Sequence, residues 1–396
     1  MSFKLPSINE LNNTQKTIIS LLSKIIKLAV IGGPGTGKTI IGIHAAGLMA
    51  DSKKKCLFLS YSTSLRDFIK SVARDFKLNI NNIEINSYHS WFWRELKSLG
   101  FDDPTTFQDM PYHYDVEKVG RALSVIPTSK KKKYDYIFVD EAQDVQDGLI
   151  KYFAQFTNNI LVTYDDSQKI GFDEQDDNVP SYDHSNILID LQIGDRFYDL
   201  IDNYRNTTQI EMVAKILLSS YDLNEVSLQK VTSHTDGPLP RLIKLENNDV
   251  DKICSYIVNH YDKSKSVGVF IGNDNRDIGR SNFDLLKDRL QKLCKEQGIQ
   301  FMYKYGSRNT NINSFNALSN GIFLMTVKNS KGLEFDETYV FSSNSSIKNY
   351  QGKNAFYVAF TRAKTRTNIV MNIAEHANEL NELLLNNAFM FETKSL

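Results

Sequence analysis

The stretch "VIGGPGTGKT" (Val30–Thr39) decides the fold, because a loop of glycines joins a strand pattern to a helical pattern there. The apolar run "KLAVI" leads into it, and "TIIGIHAAGLMA" follows it. Gly32, four intervening residues, then Gly37, Lys38 and Thr39 form the phosphate-loop pattern in the strand, loop and helix context that this pattern requires. The sequence therefore predicts a phosphate-binding loop on an α/β sheet.

The residue types of this loop indicate that it binds a nucleoside triphosphate. Gly32, Gly35 and Gly37 allow the backbone to wrap around a phosphate, so that several N–H groups and the positive end of the helix face it. Lys38 is expected to reach the β- and γ-phosphates, and the Thr39 hydroxyl is expected to ligate Mg²⁺. The loop by itself does not specify the base or the reaction.

A second stretch, "YIFVDEAQDVQ" (Tyr136–Gln146), runs from a strand pattern directly into a polar cluster. In a parallel sheet, a strand that ends beside the phosphate loop places carboxylates where the metal and the attacking water need them. Asp140 is expected to hold the metal, and Glu141 is expected to act as the general base. The alternative is that Asp140 caps a helix, but this explains neither Glu141 nor the phosphate loop.

Short apolar runs alternate with segments of helical period along the whole chain, which is typical of parallel sheets with helices on both faces. The strands are numerous enough for two sheets. We expect an α/β fold with an N-terminal lobe over residues 1–195 and a C-terminal lobe over residues 196–396. The acidic segment "GFDEQDDNVPSYDHSN" near the boundary is expected to be a solvated loop.

Composition excludes several classes of protein. The chain has 396 residues, of which 41% are hydrophobic, so it is neither disordered nor fibrous. Lys+Arg and Asp+Glu both total 47, so any groove for nucleic acid must be local, and the runs Lys53–Lys55 and Lys130–Lys133 are either solvated loops or DNA patches. Three dispersed cysteines and the lack of a membrane span or signal peptide predict a soluble cytoplasmic protein with no membrane partner.

From about residue 11 to about residue 370 the chain resembles the UvrD/Rep type of superfamily 1 helicases, in a compact form. Beside the phosphate loop and "DEAQD", the matching stretches occur in the family's order: "LNNTQ" (Leu11–Gln15), "INSYHS" (Ile85–Ser90), "VTYDDSQ" (Val162–Gln168), "NYRNT" (Asn203–Thr207), "TVKNSKGLEFD" (Thr326–Asp336) and "YVAFTRAK" (Tyr357–Lys364). The resemblance implies two RecA-like lobes, with ATP and Mg²⁺ as the nucleotide and metal.

The resemblance also implies roles for residues that match the family's motifs. For the base and sugar of ATP, it implies that Gln15 contacts adenine, that Tyr204 stacks on it and that Glu334 contacts the ribose.

For the phosphates, the resemblance implies that Gln168 senses the γ-phosphate with Asp165 in the same relay, that Arg205 touches this phosphate, and that Arg362 is an arginine finger. ATP would then be neutralised by groups from both lobes and would draw them together. The alternative for each arginine is a surface ion pair.

The predicted nucleic-acid contacts depart from the family pattern. Large accessory inserts are missing and only a small insert, about residues 95–133, remains, which puts duplex unwinding by this chain alone in doubt. Acidic residues follow "VTYDDSQ" where the family has an aromatic residue and an arginine. The candidates for stacking on bases or binding the strand, each with core packing or a structural role as the alternative, are Tyr61, His89, Trp91, Trp93, Phe172 and Lys328.

These observations favour an ATP-hydrolysing, helicase-like motor that acts on single-stranded or broken DNA. The alternative is an ATP-switched regulatory subunit of a nuclease-containing complex for repair or phage defence, with the nuclease on another chain. A P-loop kinase or transport ATPase leaves "NYRNT", "SKGLEF" and "FTRAK" unexplained.

Overall fold

The computed structural model describes residues 5–24, 27–61, 63–75, 79–110, 113–169, 184–194, 196–219, 232–245, 249–271, 278–305, 309–310, 320–342, 350–372 and 379–396. The chain forms two compact units, Lys4–Ile201 and Asp202–Leu396. The acidic segment near the boundary lies mostly outside the described residues, and Phe172 is among those left out.

The first unit contains a six-stranded parallel sheet in the order β3-β2-β6-β7-β1-β8 and a separate antiparallel pair, β4-β5. Its strands are β1 (Lys27–Gly32), β2 (Cys56–Ser60), β3 (Ile83–Ser87), β4 (Gln108–Met110), β5 (His113–Tyr114), β6 (Tyr136–Val139), β7 (Asn159–Tyr164) and β8 (Phe197–Leu200). The central strands are buried along nearly their whole length, as expected when helices cover both faces of a parallel sheet.

The helices of the first unit are α1 (Asn13–Leu21), α2 (Lys38–Asp51), α3 (Thr63–Asp75), α4 (Tyr88–Ser98), α5 (Val116–Ser124), α6 (Thr128–Lys131), α7 (Ile150–Phe153) and α8 (His184–Leu191). The segment expected to be a small insert holds the end of α4, the β4-β5 pair, α5 and α6. It packs on the core through Phe107, Tyr114, Val119 and Leu123. The insert is therefore part of the first unit's hydrophobic core.

β8 defines where the first unit ends. Its residues pair with β1 in register, from Ala29 opposite Phe197 to Gly32 opposite Leu200. The boundary predicted at residue 195 assigns residues 196–200 to the second lobe, whereas this pairing puts β8 in the first sheet. Strand pairing of this kind is a long-range contact that local sequence patterns do not encode.

The second unit contains an eight-stranded sheet in the order β14-β13-β15-β12-β16-β17-β11-β18 and a short parallel pair, β9-β10. Its strands are β9 (Asp202–Asn203), β10 (Thr232–Ser233), β11 (Arg241–Leu245), β12 (Ser266–Ile271), β13 (Phe301–Tyr305), β14 (Asn309–Thr310), β15 (Gly321–Thr326), β16 (Phe335–Phe341), β17 (Ala363–Asn372) and β18 (Glu392–Ser395). Only β14 runs antiparallel to its neighbour among these described strands.

The helices of the second unit are α9 (Thr208–Ser219), α10 (Val250–Asn259), α11 (Ile278–Glu296), α12 (Val327–Ser330), α13 (Tyr350–Phe360) and α14 (Glu379–Asn386). The predicted fold class, α/β with two mainly parallel sheets flanked by helices, is confirmed. All three cysteines are buried, as small hydrophobic residues commonly are. None of the helices in the described part of the chain combines the length and apolar character that a membrane crossing requires.

Candidate functional site

The phosphate loop connects β1 to α2 and encloses the side chain of its lysine. Lys38 Nζ donates to the carbonyl oxygens of Gly32 at 2.6 Å and Gly33 at 3.0 Å. Gly37 has a φ of 91°, in the left-handed region, and a Cβ there would lie 2.6 Å from the side chain of Gln15. Only glycine satisfies both conditions without strain. The Lys38 ammonium therefore lies inside the loop that the sequence predicts to bind phosphate.

Gln15 fixes the loop from the side of α1. Its Nε2 donates to the Thr36 carbonyl at 3.0 Å, and its Oε1 accepts from the Asn12 amide at 3.0 Å. The second bond belongs to a capping box at the start of α1, since Asn12 Oδ1 accepts from the Gln15 amide in return. The structure thus places this glutamine against the phosphate loop, and its contact with a base stays a prediction.

Thr39 and Asp140 meet although they are far apart in the chain. Thr39 Oγ1 donates to Asp140 Oδ2 at 2.6 Å, and Thr163 Oγ1 donates to Asp140 Oδ1, also at 2.6 Å. The hydroxyl and the carboxylate are hard oxygen ligands of the kind that Mg²⁺ prefers, so the residues fit this metal. Among the described residues no cluster of three or more His, Cys, Asp or Glu side chains could hold a metal, so the ion would also need phosphate oxygens and water.

The environment of Asp140 makes its ionised form less favourable than in water when no cation is bound. Burial and the neighbouring charge of Glu141 raise the pKa of Asp140 to about 6, against the lowering effect of its two threonine hydrogen bonds. A divalent cation would reverse this shift because it stabilises the carboxylate. The helix-cap alternative does not hold, because the Asp140 oxygens accept from the threonines, and the short helix Ala142–Asp144 follows Glu141 instead.

Glu141 has an unusual backbone conformation for a residue with a side chain. Its φ is 55° and its ψ is 49°, and its amide donates to Thr163 Oγ1 at 3.3 Å. Such a left-handed residue costs about 1–3 kcal/mol and is held by its surroundings, most often at functional sites. The Gln143 amide group also donates a close hydrogen bond to the Glu141 carboxylate. The predicted general base is therefore oriented by both its backbone and its neighbour.

The segment after β7 joins the same cluster. Lys38 Nζ lies 3.4 Å from Asp165 Oδ2, and the Gln168 amide group donates to the same carboxylate. Burial raises the pKa of Asp165, although Lys38 and Gln168 oppose the shift. Gln143 Oε1 accepts from the Asp165 amide at 3.1 Å, so it bridges this segment to Glu141. Sequence analysis assigns no role to Gln143, although it lies in the quoted "DEAQD" stretch.

In the second unit, the carboxylate of Glu334 forms ion pairs with two cationic side chains. Glu334 Oε2 accepts from Arg205 Nε at 3.0 Å, and its Oε1 lies 2.9 Å from Lys364 Nζ. Burial by itself raises the pKa of Glu334, but Arg205 and Lys364 together outweigh it and lower the pKa to about 2. The structure therefore brings residues of "NYRNT", "SKGLEF" and "FTRAK" to one place. Lys364 was not singled out from the sequence.

Asn206 connects the "NYRNT" and "FTRAK" stretches by hydrogen bonds. Its Nδ2 donates to the carbonyl oxygens of Thr361 at 2.9 Å and Ala363 at 2.6 Å. Its Oδ1 accepts from Asn203, which also accepts the amide of Arg205 at 3.0 Å. The buried asparagines thus connect the "NYRNT" loop to the start of β17 by side-chain hydrogen bonds.

The two other predicted nucleotide contacts in this unit differ in accessibility. Arg362 is 1% exposed, and its guanidinium donates to the carbonyl oxygens of Val358 at 3.0 Å and Leu333 at 3.4 Å. Tyr204 is 57% exposed, and its hydroxyl lies 3.4 Å from an Asp202 oxygen. The ring of Tyr204 is therefore accessible for stacking, whereas Arg362 must leave its carbonyl partners to reach a phosphate.

The aromatic candidates for nucleic-acid binding do not share one surface. Trp91 is fully buried, with its ring edge-on to Phe153 and Phe156, so core packing is its role here. Trp93 lies on the same helix, is 37% exposed and has Lys97 Nζ 4.1 Å from its ring centroid. The hydrophobic spacing of α4 predicts that Trp91 is buried and Trp93 is not. One face of the helix is formed by Tyr88, Trp91, Phe92 and Leu96, and Trp93 lies outside it.

The remaining candidates are partly buried. The His89 ring lies tilted against Tyr88 with centroids 3.8 Å apart, and burial with the nearby His113 lowers the pKa of His89 to about 4. Tyr61 packs against the first core, and Lys328 lies half-buried on α12.

The structure also limits the DNA-patch alternative for the Lys130–Lys133 run. Lys131 Nζ donates to the Leu123 carbonyl at 2.9 Å, and Lys133 Nζ lies 2.7 Å from a Glu95 oxygen. These two lysines have structural partners within the first unit.

Comparison with known proteins agrees with the motif analysis. A family model described as Schlafen group 3, DNA/RNA helicase domain, matches residues 27–221, and one described as UvrD-like helicase C-terminal domain matches residues 321–370. The C-terminal domain of a possible DNA helicase from Lactobacillus plantarum WCFS1 is 19% identical, with a TM-score of 0.32 over 48% of this chain and 98% of that chain. The comparison with curated proteins found no match. The two family models confirm the resemblance of this chain to superfamily 1 helicases of the UvrD/Rep type.

Proposed function

We propose that the chain is an ATP-hydrolysing motor of the superfamily 1 helicase type that acts on single-stranded or broken DNA. The observation that carries the proposal is the 2.6 Å contact between Thr39 and Asp140 beside the loop that encloses Lys38. This contact places Thr39 and Asp140, which would hold Mg²⁺, beside the loop of Lys38, which would hold the phosphates.

The first unit supplies the chemistry of hydrolysis in this proposal. Mg²⁺, held by Thr39 and Asp140, would neutralise charge on the phosphate oxygens. Lys38 would leave its loop carbonyls for the β- and γ-phosphates, and Glu141 would accept a proton from the attacking water. Gln168 lies on the segment bonded to Lys38 through Asp165, which supports its role near the γ-phosphate. The nucleotide roles of Gln15, Tyr204, Arg205, Glu334 and Arg362 rest on the resemblance and stay predictions.

Nucleic acid as the partner is supported by both family models, whose descriptions name helicase domains, one of them DNA/RNA. On α4, Trp93 is 37% exposed and Lys97 Nζ lies over one face of its ring. In the proposed function a base would stack on this ring after the lysine moves toward a phosphate. The proposal is more specific than these descriptions, because it names single-stranded DNA as the partner in preference to RNA.

The proposal is tested by steady-state ATP hydrolysis with single-stranded, duplex and forked DNA and with RNA, each over a range of salt. Turnover that rises many-fold with single-stranded DNA and falls with salt supports a motor that grips the backbone. Lys38→Ala is the control that should lose both nucleotide binding and turnover. A wild-type chain whose turnover ignores every nucleic acid would contradict the motor proposal.

A regulatory ATPase is the second candidate, favoured by one observation. Trp91, a candidate for stacking, lies in the core instead. In that case ATP would switch a subunit of a nuclease-containing repair or defence complex. Turnover that responds to a co-purifying protein and not to DNA would support this candidate.

A further inference from the structure

Thr163 lies near the end of β7, beside the end of the neighbouring strand β6. Val139 pairs with Val162 in the parallel register of these strands. The next residue along each strand is therefore Asp140 on one side and Thr163 on the other. Thr163 is 2% exposed, and Asp140 and Glu141 are 2% and 5% exposed. Hydrogen bonds in such surroundings are stronger than in water, because the local dielectric is low.

The Thr163 hydroxyl uses both of its hydrogen-bonding roles at once. Its Oγ1 donates to Asp140 Oδ1 at 2.6 Å and accepts from the Glu141 amide at 3.3 Å. The first bond holds the carboxylate that would bind Mg²⁺, and the second holds the backbone of the predicted general base. Glu141 needs such support because its φ is 55°, in the left-handed region. One side chain on the neighbouring strand thus contacts both residues.

We infer that Thr163 is a positioning residue that fixes the metal-binding carboxylate of Asp140 and the general base Glu141 relative to each other. Hydrogen-bond partners of this kind orient the ligands of a metal ion. Metal binding and activation of the attacking water then depend on the same hydroxyl. Sequence analysis assigns no role to Thr163, although it lies in the quoted "VTYDDSQ" stretch. The inference rests on the proposed function, which gives Asp140 its metal and Glu141 its water.

The first test measures ATP hydrolysis over a range of Mg²⁺ concentrations with wild type, Thr163→Val and Thr163→Ser. Valine keeps the branched shape and removes the hydroxyl, whereas serine keeps the hydroxyl. In Thr163→Val we expect the Mg²⁺ concentration at half-maximal turnover to rise about tenfold or more, as when the partner of a metal ligand is lost. We also expect kcat at saturating Mg²⁺ to fall at least about tenfold, because Glu141 loses its orientation. Thr163→Ser should stay close to wild type in both.

The second test measures metal binding without turnover. Mn²⁺ replaces Mg²⁺, and its electron paramagnetic resonance signal reports binding to the protein in the presence of ADP. The Kd for Mn²⁺ should rise about 10- to 100-fold in Thr163→Val and stay near wild type in Thr163→Ser. Thr157→Val is the matched control, since Thr157 is 3% exposed, precedes β7 and donates its hydroxyl to backbone carbonyl oxygens. This control should lower the unfolding temperature and change neither Kd nor kcat.

A Thr163→Val chain with wild-type Kd and kcat overturns the inference. Equal losses in Thr163→Val and Thr157→Val also overturn it, because the hydroxyl would then act only through the stability of β7. A change in Kd alone or in kcat alone means that Thr163 serves one group, which overturns the inferred link between the two.

Folding of each variant is followed by thermal unfolding. If Thr163→Val does not fold, Thr163→Ala removes the hydroxyl without placing a methyl group against Asp140, and it is measured in the same way. A wild-type chain that hydrolyses no triphosphate removes the proposed function and this inference together. A chain that hydrolyses ATP equally well with and without the Thr163 hydroxyl removes only the inference.

Discussion

The two units carry motif clusters of opposite charge. In the first unit, the carboxyl groups of Asp140, Glu141 and Asp165 form one cluster with a single ammonium, that of Lys38, which pairs with Asp165. In the second unit, two cations share the single carboxylate of Glu334. The first cluster therefore has a negative excess suited to a metal ion, and the second has a positive excess suited to phosphate. In the proposed function, a negative cluster would suit the metal ion and a positive cluster would suit the phosphates of Mg·ATP.

The pKa values of Asp140 and Glu334 differ in the same way as the charges of the two clusters. Burial favours the neutral form of both carboxyl groups, but the neighbours decide the outcome. At Asp140, burial and the neighbouring carboxylate of Glu141 together raise the pKa to about 6. Beside Glu334 the neighbours are two cations, so the pKa falls to about 2. The anion is therefore destabilised at Asp140 in the first unit and stabilised at Glu334 in the second.

The largest expected effect tests whether the second unit contributes positive charge to hydrolysis at all. Arg362→Ala should bind ATP and lower kcat by about 10³-fold or more, the range of arginine fingers elsewhere. Phosphate release measures kcat, and a fluorescent ATP analogue measures binding. Arg366→Ala is the matched control, because Arg366 lies on β17, which begins directly after Arg362, and pairs at 3.6 Å with the more exposed Glu392. Wild-type rates in Arg362→Ala would mean that this arginine plays no part in hydrolysis.

The second prediction concerns the negative cluster of the first unit, which consists of Asp140, Glu141, Asp165 and Lys38. Glu141→Gln should keep ATP binding and lower kcat by about 10²- to 10⁴-fold, because the amide cannot accept the proton of the attacking water. Single-turnover hydrolysis separates this loss from slow product release. Glu117→Gln, an exposed carboxylate on α5, is the control and should be unaffected. Normal turnover in Glu141→Gln would remove the general-base role.

Much of the first cluster could be predicted from the sequence because its parts are local patterns. The phosphate loop follows a strand, and "DEAQD" follows another, so the parallel-sheet rule alone places Lys38 near Asp140. The contrast between Trp91 and Trp93 also follows from helical spacing. The motifs of the second unit were identified by resemblance, which gave their order along the chain but no geometry.

The contacts within each cluster could not be predicted. Arg205 and Glu334 are 129 residues apart in sequence, and their pairing depends on side-chain directions that a motif does not specify. The bridge from Gln143 to Glu141 and Asp165 likewise depends on the left-handed backbone of Glu141. The place of β8 beside β1 depends on long-range pairing, so the predicted boundary at residue 195 falls before it.

A third prediction uses stability to sharpen the contrast between the two carboxylates. Asp140→Asn should stabilise the nucleotide-free protein at pH 8 by on the order of 2 kcal/mol, because it removes a buried charge whose pKa is raised to about 6 from 3.8. Glu334→Gln should destabilise it at the same pH, because it removes the partner of two cations. Thermal unfolding in EDTA measures both.

The pH dependence distinguishes these two effects. A raised pKa means that the favourable contribution of Asp140 is complete below about pH 4 and is lost as pH rises through about 6, so the gain in Asp140→Asn should shrink toward pH 4. A lowered pKa means that the contribution of Glu334 is present above about pH 4.5 and is lost as pH falls toward 2. If both substitutions changed stability with the same sign at pH 8, the opposite charge balance of the clusters would be refuted.

The smallest expected effect concerns Gln143, which is hydrogen-bonded to the predicted general base Glu141 and is not itself expected to take part in proton transfer. Its amide donates to Glu141 and accepts from the Asp165 backbone, so Gln143→Ala should lower kcat about tenfold and leave KM for ATP nearly unchanged. Gln146→Ala is the matched control. Gln146 bonds the backbone of Tyr114 at 2.7 Å and 2.6 Å, so its loss should lower the unfolding temperature and leave turnover intact.

The two glutamines lie three residues apart and both bridge to backbone groups, yet only Gln143 also touches a predicted catalytic group. If both variants lost stability and neither lost turnover, the Gln143 bridge would be structural, and the orientation of Glu141 would depend on its own left-handed backbone and Thr163. If Gln143→Ala alone lost turnover, the negative cluster would depend on side-chain orientation as well as on its charge.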